Sequence, residues 1–191
     1  LVPGLLLGLR LLQNRSEGID ATISRLADTA GAIAADLDEK VQGTAQLLYG
    51  LSRARDLDTA DRATCSRFVS AVREEYPQFT GILTINPDGR LFCDSLNTGR
   101  DLDLNDRAYF KQALSMDRGV ALEPTFGRLT NLAVLQIAQP ARSDAGAIRF
   151  VLLASLNLTK FAESHLRRPS RAQILLADNA GTVLAWLPPD Q

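Results

Sequence analysis

Histidine is nearly missing from this 191-residue chain: it occurs once, at His165, and cysteine occurs only at Cys65 and Cys93. A conventional zinc site cannot be assembled from that stock within one chain. A Ser/His/Asp set would have to be built around His165, and no serine and aspartate stand out as its partners. No glycine-rich phosphate loop occurs either. A charge excess is also lacking, since 21 Lys and Arg face 22 Asp and Glu for a net charge of −1. Without a basic stripe, nucleic-acid binding has no electrostatic support. Asp101, Asp103 and Asp106 lie close together but lack the glycine and terminal glutamate of a calcium loop, so they read as a solvated acidic loop. Catalysis is therefore the weaker class, and no cofactor or metal is expected.

Long apolar runs are scarce too. Leu1 to Leu9 is apolar but ends at Arg10, well short of the ~20 residues that span a bilayer. It also lacks the basic start of a signal peptide. Three readings remain open for it: the outer end of a transmembrane helix, a signal-peptide remnant, or an ordinary buried segment. The 46% hydrophobic content is that of a globular protein.

What the chain does have is periodicity. No proline interrupts Gln13 to Glu75, and apolar positions recur at Ile19, Ile23, Leu26, Ala30, Ile33, Leu37, Val41, Thr44, Leu48 and Leu51. Steps alternating between four and three make a heptad-like stripe on one long helix. That stripe serves equally to pack on its own domain or to pair with a second copy. An interruption is expected around Asp56-Leu57-Asp58-Thr59, with Asp58 or Thr59 capping a second helix. This helix carries Cys65, Phe68, Val69, Val72 and Tyr76 on one face and stops at Pro77.

A β pattern follows. Thr80 to Ile85 and Arg90 to Cys93 read as strands around an Asn86-Pro87-Asp88-Gly89 turn. A polar loop, Asp94 to Asp103, leads to Leu104-Asn105-Asp106-Arg107-Ala108-Tyr109-Phe110, where the Asn/Asp pair reads as a helix N-cap. The stretch from Gly119 to Arg128 reads as irregular. Leu132 to Ala138 and Ala147 to Ser155 read as strands, and Asn157 caps a short helix, Leu158 to Leu166. His165, beside Arg167 and Arg168, reads as a solvated cation at that helix's C-terminus.

The first hairpin then has an echo. Gly81 to Phe92 aligns without gaps with Gln173 to Leu184, each being strand, Asx-x-x-Gly turn, strand. The match is either common hairpin grammar or a second copy of the same sheet module.

Two helices, a hairpin, a polar loop, an Asp-Arg-Ala-Tyr-Phe helix, a strand pair, a short helix and a second hairpin: this order resembles the Cache (PAS-like, PDC) extracytoplasmic sensor domains of bacterial receptors, the double-Cache arrangement most of all. The resemblance covers roughly residues 15 to 187, and Ala108 stands where the family motif commonly has proline. It implies an α+β fold with a long N-terminal helix, an antiparallel sheet with flanking helices, and the beginning of a smaller second module. The implied division is 1–13 as the end of a transmembrane or signal segment, 14–57 as the long helix, 58–168 as the membrane-distal module and 169–191 as the start of the second.

By the same resemblance a ligand pocket lies between the sheet and the segment Asp94 to Leu114. Arg107 is the expected partner of a ligand carboxylate, and Tyr109 the expected hydroxyl donor. Thr125, Phe126, Asn131 and Gln136 are further candidates for the pocket wall, while Phe110 reads as core. Gln136 interrupts an apolar strand and needs a partner if buried. Ser155 stands near where the amino-acid-binding branch carries an acidic residue, so a small carboxylate, or no diffusible ligand at all, suits this chain better than an α-amino acid. The resemblance also implies a Cys65–Cys93 disulfide, two separate buried thiols being the alternative. The expected partners are a small-molecule ligand and a second copy through the N-terminal helix, with membrane anchoring and a periplasmic location. A structural or partner-binding dimerisation module is the rival reading.

Overall fold

The structure, a computed structural model, describes residues 2–57, 61–165 and 173–187, with side chains from residue 19 onward. The heptad-like stripe forms one continuous helix, α1 (Val2–Leu51). The chain divides into two units, Leu1–Val41 and Gln42–Gln191. In the first, the stripe is exposed at Ile19, Ile23 and Leu26, between 50% and 59%, half-buried at Ile33 and Leu37, and buried at Val41. In the second, its continuation at Thr44 and Leu48 is buried. No helix among the described residues is long and apolar enough to cross a membrane.

α1 ends earlier than the interruption expected near Asp56. Its last turn tightens through Arg53 N–H to Gly50 O and Ala54 N–H to Leu51 O, three-residue bonds that use up the terminal carbonyls. The Ser52 hydroxyl adds a bond to Tyr49 O. A single 3-10 turn, Arg55–Leu57, follows. The next helix, α2 (Arg62–Glu75), is capped by Asp61, which accepts from the N–H groups of Ala63 and Thr64. The expected caps Asp58 and Thr59 lie outside the described residues. Pro77 follows the helix, as its fixed φ and missing N–H require.

The sheet contains β1 (Phe79–Ile85), β2 (Leu91–Asp94), β3 (Ala121–Phe126), β4 (Ala133–Arg142) and β5 (Ile148–Asn157), in the order β2-β1-β5-β4-β3. Every pairing in it is antiparallel. β3 corrects the reading of Gly119 to Arg128 as irregular. Pro124 obscures this strand in the sequence, yet an edge strand tolerates proline because its outer side pairs with nothing.

Strand alternation assigns the two faces. On one, Leu83, Ile85, Ala138, Val151 and Leu153 pack with Leu104 and with Tyr109, Phe110 and Ala113 of α3 (Ala108–Ser115). α2 lies against β1 and β2, and it reaches the opposite face, where Cys65 and Cys93 form a disulfide around the Thr84 hydroxyl. Asn157 caps α4 (Leu158–His165) by accepting from Lys160 N–H at 3.0 Å, as expected. His165 Nδ1 turns back to Phe161 O at 2.8 Å, and its ring meets that of Phe161 at a tilt of 51°.

The C-terminal hairpin, β6 (Ile174–Ala177) and β7 (Val183–Leu187), repeats the first in detail. Gly89 and Gly181 both sit at positive φ, 84° and 83°, a conformation open to glycine at little cost. Gly89 N–H bonds Asn86 O and Gly181 N–H bonds Asp178 O. The ladders also slip at equivalent places, between Thr84 and Ile85 and between Leu176 and Ala177.

Candidate functional site

The site begins with a loop tied down at both ends. Asp94, buried at the end of β2, accepts from Leu96 N–H, Thr98 N–H and the Thr98 hydroxyl. Further on, Leu104 N–H bonds Gly89 O at 2.9 Å, and Asn105 Nδ2 bonds Asp88 O at 2.5 Å. The segment between is thereby held over the sheet, anchored to the first hairpin's turn. A side chain at position 89 would collide with Asn105.

These bonds overturn the expected N-cap. Asn105 is spent on the turn, and Asp106 on Arg128, so Arg107 occupies the cap position of α3 without a capping side chain of its own. The helix is capped from outside instead: Glu123 of β3 accepts from Tyr109 N–H at 2.8 Å. A carboxylate there also suits the positive end of the helix.

Between this loop, α3, the turn at 127–132 and the sheet lies a cavity of about 20 Å³, enough for one water. Its apolar wall comes from residues such as Leu83, Leu96, Leu102, Leu104 and Leu153. Its polar groups come from Thr80, Tyr109, Arg128, Thr130, Gln136 and Ser155. Gln136 and Ser155 face each other across β4 and β5, and the Ser155 hydroxyl donates to Gln136 Oε1 at 2.7 Å. Arg128 donates to both carboxylate oxygens of Asp106 and, through Nη1, to Asp103 O. This hydrogen bonding holds the Asp106 carboxyl below the usual carboxylate range and raises the Arg128 guanidinium further. Burial pushes the Tyr109 phenol well above its ordinary value, so it stays protonated.

Of the residues expected at a pocket, Tyr109 and Gln136 line this cavity. Arg107, Thr125, Phe126 and Asn131 do not line it. Arg107 Nη1 lies 3.5 Å from the Thr125 hydroxyl, so those two meet one another beside α3. Phe126 is 42% exposed at the end of β3. Asn131 takes a left-handed backbone (φ 54°) in the turn, with its N–H on Gly127 O. The arginine that lines the cavity is Arg128, which lies in the stretch that reads as irregular in the sequence. The signal was present: reading β3 as an edge strand ending at Phe126 places Gly127-Arg128 at the start of a turn over the sheet.

No family model matches the sequence, and no curated protein matches it. Solved structures do. The sensor domain of the Vibrio cholerae histidine kinase DctB superposes with a TM-score of 0.72 at 15% identity, covering 87% of this chain and 67% of that one. The chain shares the fold of that sensor domain. The ligand-binding domain of the Campylobacter jejuni chemoreceptor Tlp3, in complex with L-norvaline, matches at TM-score 0.66 and 13% identity, covering 87% of this chain and 70% of that one. The extracellular domain of the histidine kinase rpHK1S-Z16 matches at 0.63 and 19%, covering 77% of this chain and 63% of that one. This chain thus spans about two thirds of the length of these structural neighbours. Its cavity lies on the sheet face covered by α3, where a pocket was expected from the Cache resemblance.

Proposed function

We propose that this chain is the membrane-distal part of an extracytoplasmic sensor region of a bacterial signal-transduction receptor, and that a small carboxylate enters the Arg128–Tyr109–Gln136–Ser155 cavity. The observation that carries this reading is the gathering of Arg128, Tyr109, Gln136 and Ser155 from separate elements around one cavity. An Arg fork is the side chain best matched to a carboxylate. At about 20 Å³ the cavity admits no such ligand without movement, so binding must displace the loop at 94–107 or the turn at 127–132. That displacement is the signal: a ligand shifts a two-state equilibrium only through its preference for one arrangement.

In this reading α1 pairs with a second copy through its exposed stripe and carries the change to a membrane-anchored, periplasmic receptor's output, a kinase or cyclase beyond this chain. The β6–β7 hairpin opens a second module. The low cavity volume favours the rival reading, a structural or partner-binding dimerisation module with no diffusible ligand. A thermal-shift screen of small carboxylates, amino acids and amines separates the two. The sensor reading expects a carboxylate to raise the melting temperature of the wild type and an Arg128→Gln variant to lose the response. If nothing in the screen shifts the wild type, the spacer reading stands.

A further inference from the structure

We propose that a groove at the hairpin-tip end of the molecule, separate from the cavity, binds a small molecule carrying two or more anionic groups. The groove has a volume of about 910 Å³ and shares no lining residue with the cavity. Four arginines from separate segments line it: Arg53 just after α1, Arg118 just after α3, Arg142 at the end of β4 and Arg149 in β5. Asp117 and Asp144 are the acidic residues of the lining, which leaves two positive charges in excess on a chain whose net charge is −1. Gathering guanidinium groups around one concavity is repulsive, and an anion relieves the repulsion while focusing its own approach.

Two further observations point to a ligand. Gln139, only 8% exposed, lines the groove with Oε1 unpartnered among the described residues. A half-turn about its terminal torsion presents either the oxygen or the NH2 group to a guest. Arg142 is the fixed element of the site: Nη1 donates to Gly146 O and Nη2 to Met116 O, while its buried Nε has no partner. Asp117 reaches it only at 3.9 Å, and the Asp117 side chain is fully exposed. Buried polar groups without partners are costly, and both belong to residues that line the groove, so a guest that shifts these side chains supplies the missing bonds. A volume near the upper end for small-molecule sites suits an oligo-anion rather than a single small ion. Phosphate esters and polycarboxylates share this chemistry.

Isothermal titration of the chain with pyrophosphate and with citrate, at fixed ionic strength and with acetate as the monoanion, tests the site and distinguishes the two sources. The expected result is saturable one-to-one binding of at least one oligo-anion, at least tenfold tighter than acetate. Arg53 and Arg118 are both exposed, so an Arg53→Gln/Arg118→Gln variant keeps the fold and should weaken binding at least tenfold. Gln139→Leu should weaken it several-fold, whereas Arg128→Gln at the cavity should leave it unchanged. Non-saturable heats, equal affinity for acetate, or wild-type binding by the double arginine variant would each overturn the proposal. Loss of binding in Arg128→Gln alone would assign the anion to the cavity instead.

Discussion

Arg128 grips Asp106 with both ends of its guanidinium, Nη1 to Oδ1 at 2.9 Å and Nη2 to Oδ2 at 2.6 Å. An internal carboxylate therefore holds the same fork that a carboxylate ligand would use. On the proposed reading, ligand and Asp106 would compete for it, and that competition would tie cavity occupation to release of the segment leading into α3.

The pair sets a pH dependence whose sign is defined. Because the folded Asp106 value is depressed, its contribution is present above the unfolded carboxylate value and is lost as pH falls through the folded one. Carbon-13 NMR titration should find the Asp106 carboxyl midpoint below that of exposed aspartates. Arg128→Gln should return it towards the ordinary range. An unchanged midpoint in the variant would remove Arg128 as the cause.

Ser155 and Gln136 offer a second test, since both are buried, at 5% and 4% exposure. Ser155→Ala leaves Gln136 Oε1 without its donor, and a buried polar group stranded in this way costs about 1–3 kcal/mol. A Gln136→Leu/Ser155→Ala double variant removes both partners and should recover most of that loss. Urea unfolding of the four proteins measures the coupling. Strictly additive losses would show that the 2.7 Å bond carries no stability.

The Cys65–Cys93 bond closes a loop with a sequence separation of 28. In chain-entropy terms that constraint is worth roughly 3–4 kcal/mol. A Cys65→Ala/Cys93→Ala variant should unfold at lower urea by that amount, and treating the wild type with reductant should give a similar shift. Mass spectrometry of exported protein with and without reduction checks the bond itself. Two free thiols would refute it.

Ile19, Ile23 and Leu26 place large apolar side chains in solvent along α1, with the spacing of a helix-pairing seam. Ile23→Glu with Leu26→Glu should convert a dimer to a monomer in light scattering while leaving the far-UV circular dichroism of the sheet intact. A wild-type chain that stays monomeric at high concentration would exclude pairing through this stripe.

Much of the framework was legible because its causes are local. A four-and-three apolar repeat dictates a helix, and Pro77 stops α2 whatever surrounds it. The Asx-x-x-Gly turns at Gly89 and Gly181 follow from one residue's access to positive φ. The buried strand Ala133–Arg142 announced itself by an apolar run, and Gln136 by breaking it. β3 was missed because Glu123, Pro124 and Thr125 lack alternation and because an edge strand needs neither alternation nor a full set of donors.

The site was less legible, and the reason is distance along the chain. By itself the sequence determined most of the elements, the hairpin repeat and a stretch rich in candidate groups around Asp106 to Phe110. Only the tertiary structure decided which of them meet. Asp106 reads locally as a helix cap, yet its partner is Arg128, 22 residues on, and the cap of α3 comes from Glu123 across the fold. Arg107 lies within the motif but is turned towards Thr125, while Arg128 comes to the cavity on the turn after β3. Side-chain types set what a group can bind, whereas strand pairing and loop closure, which act between remote residues, set where it stands.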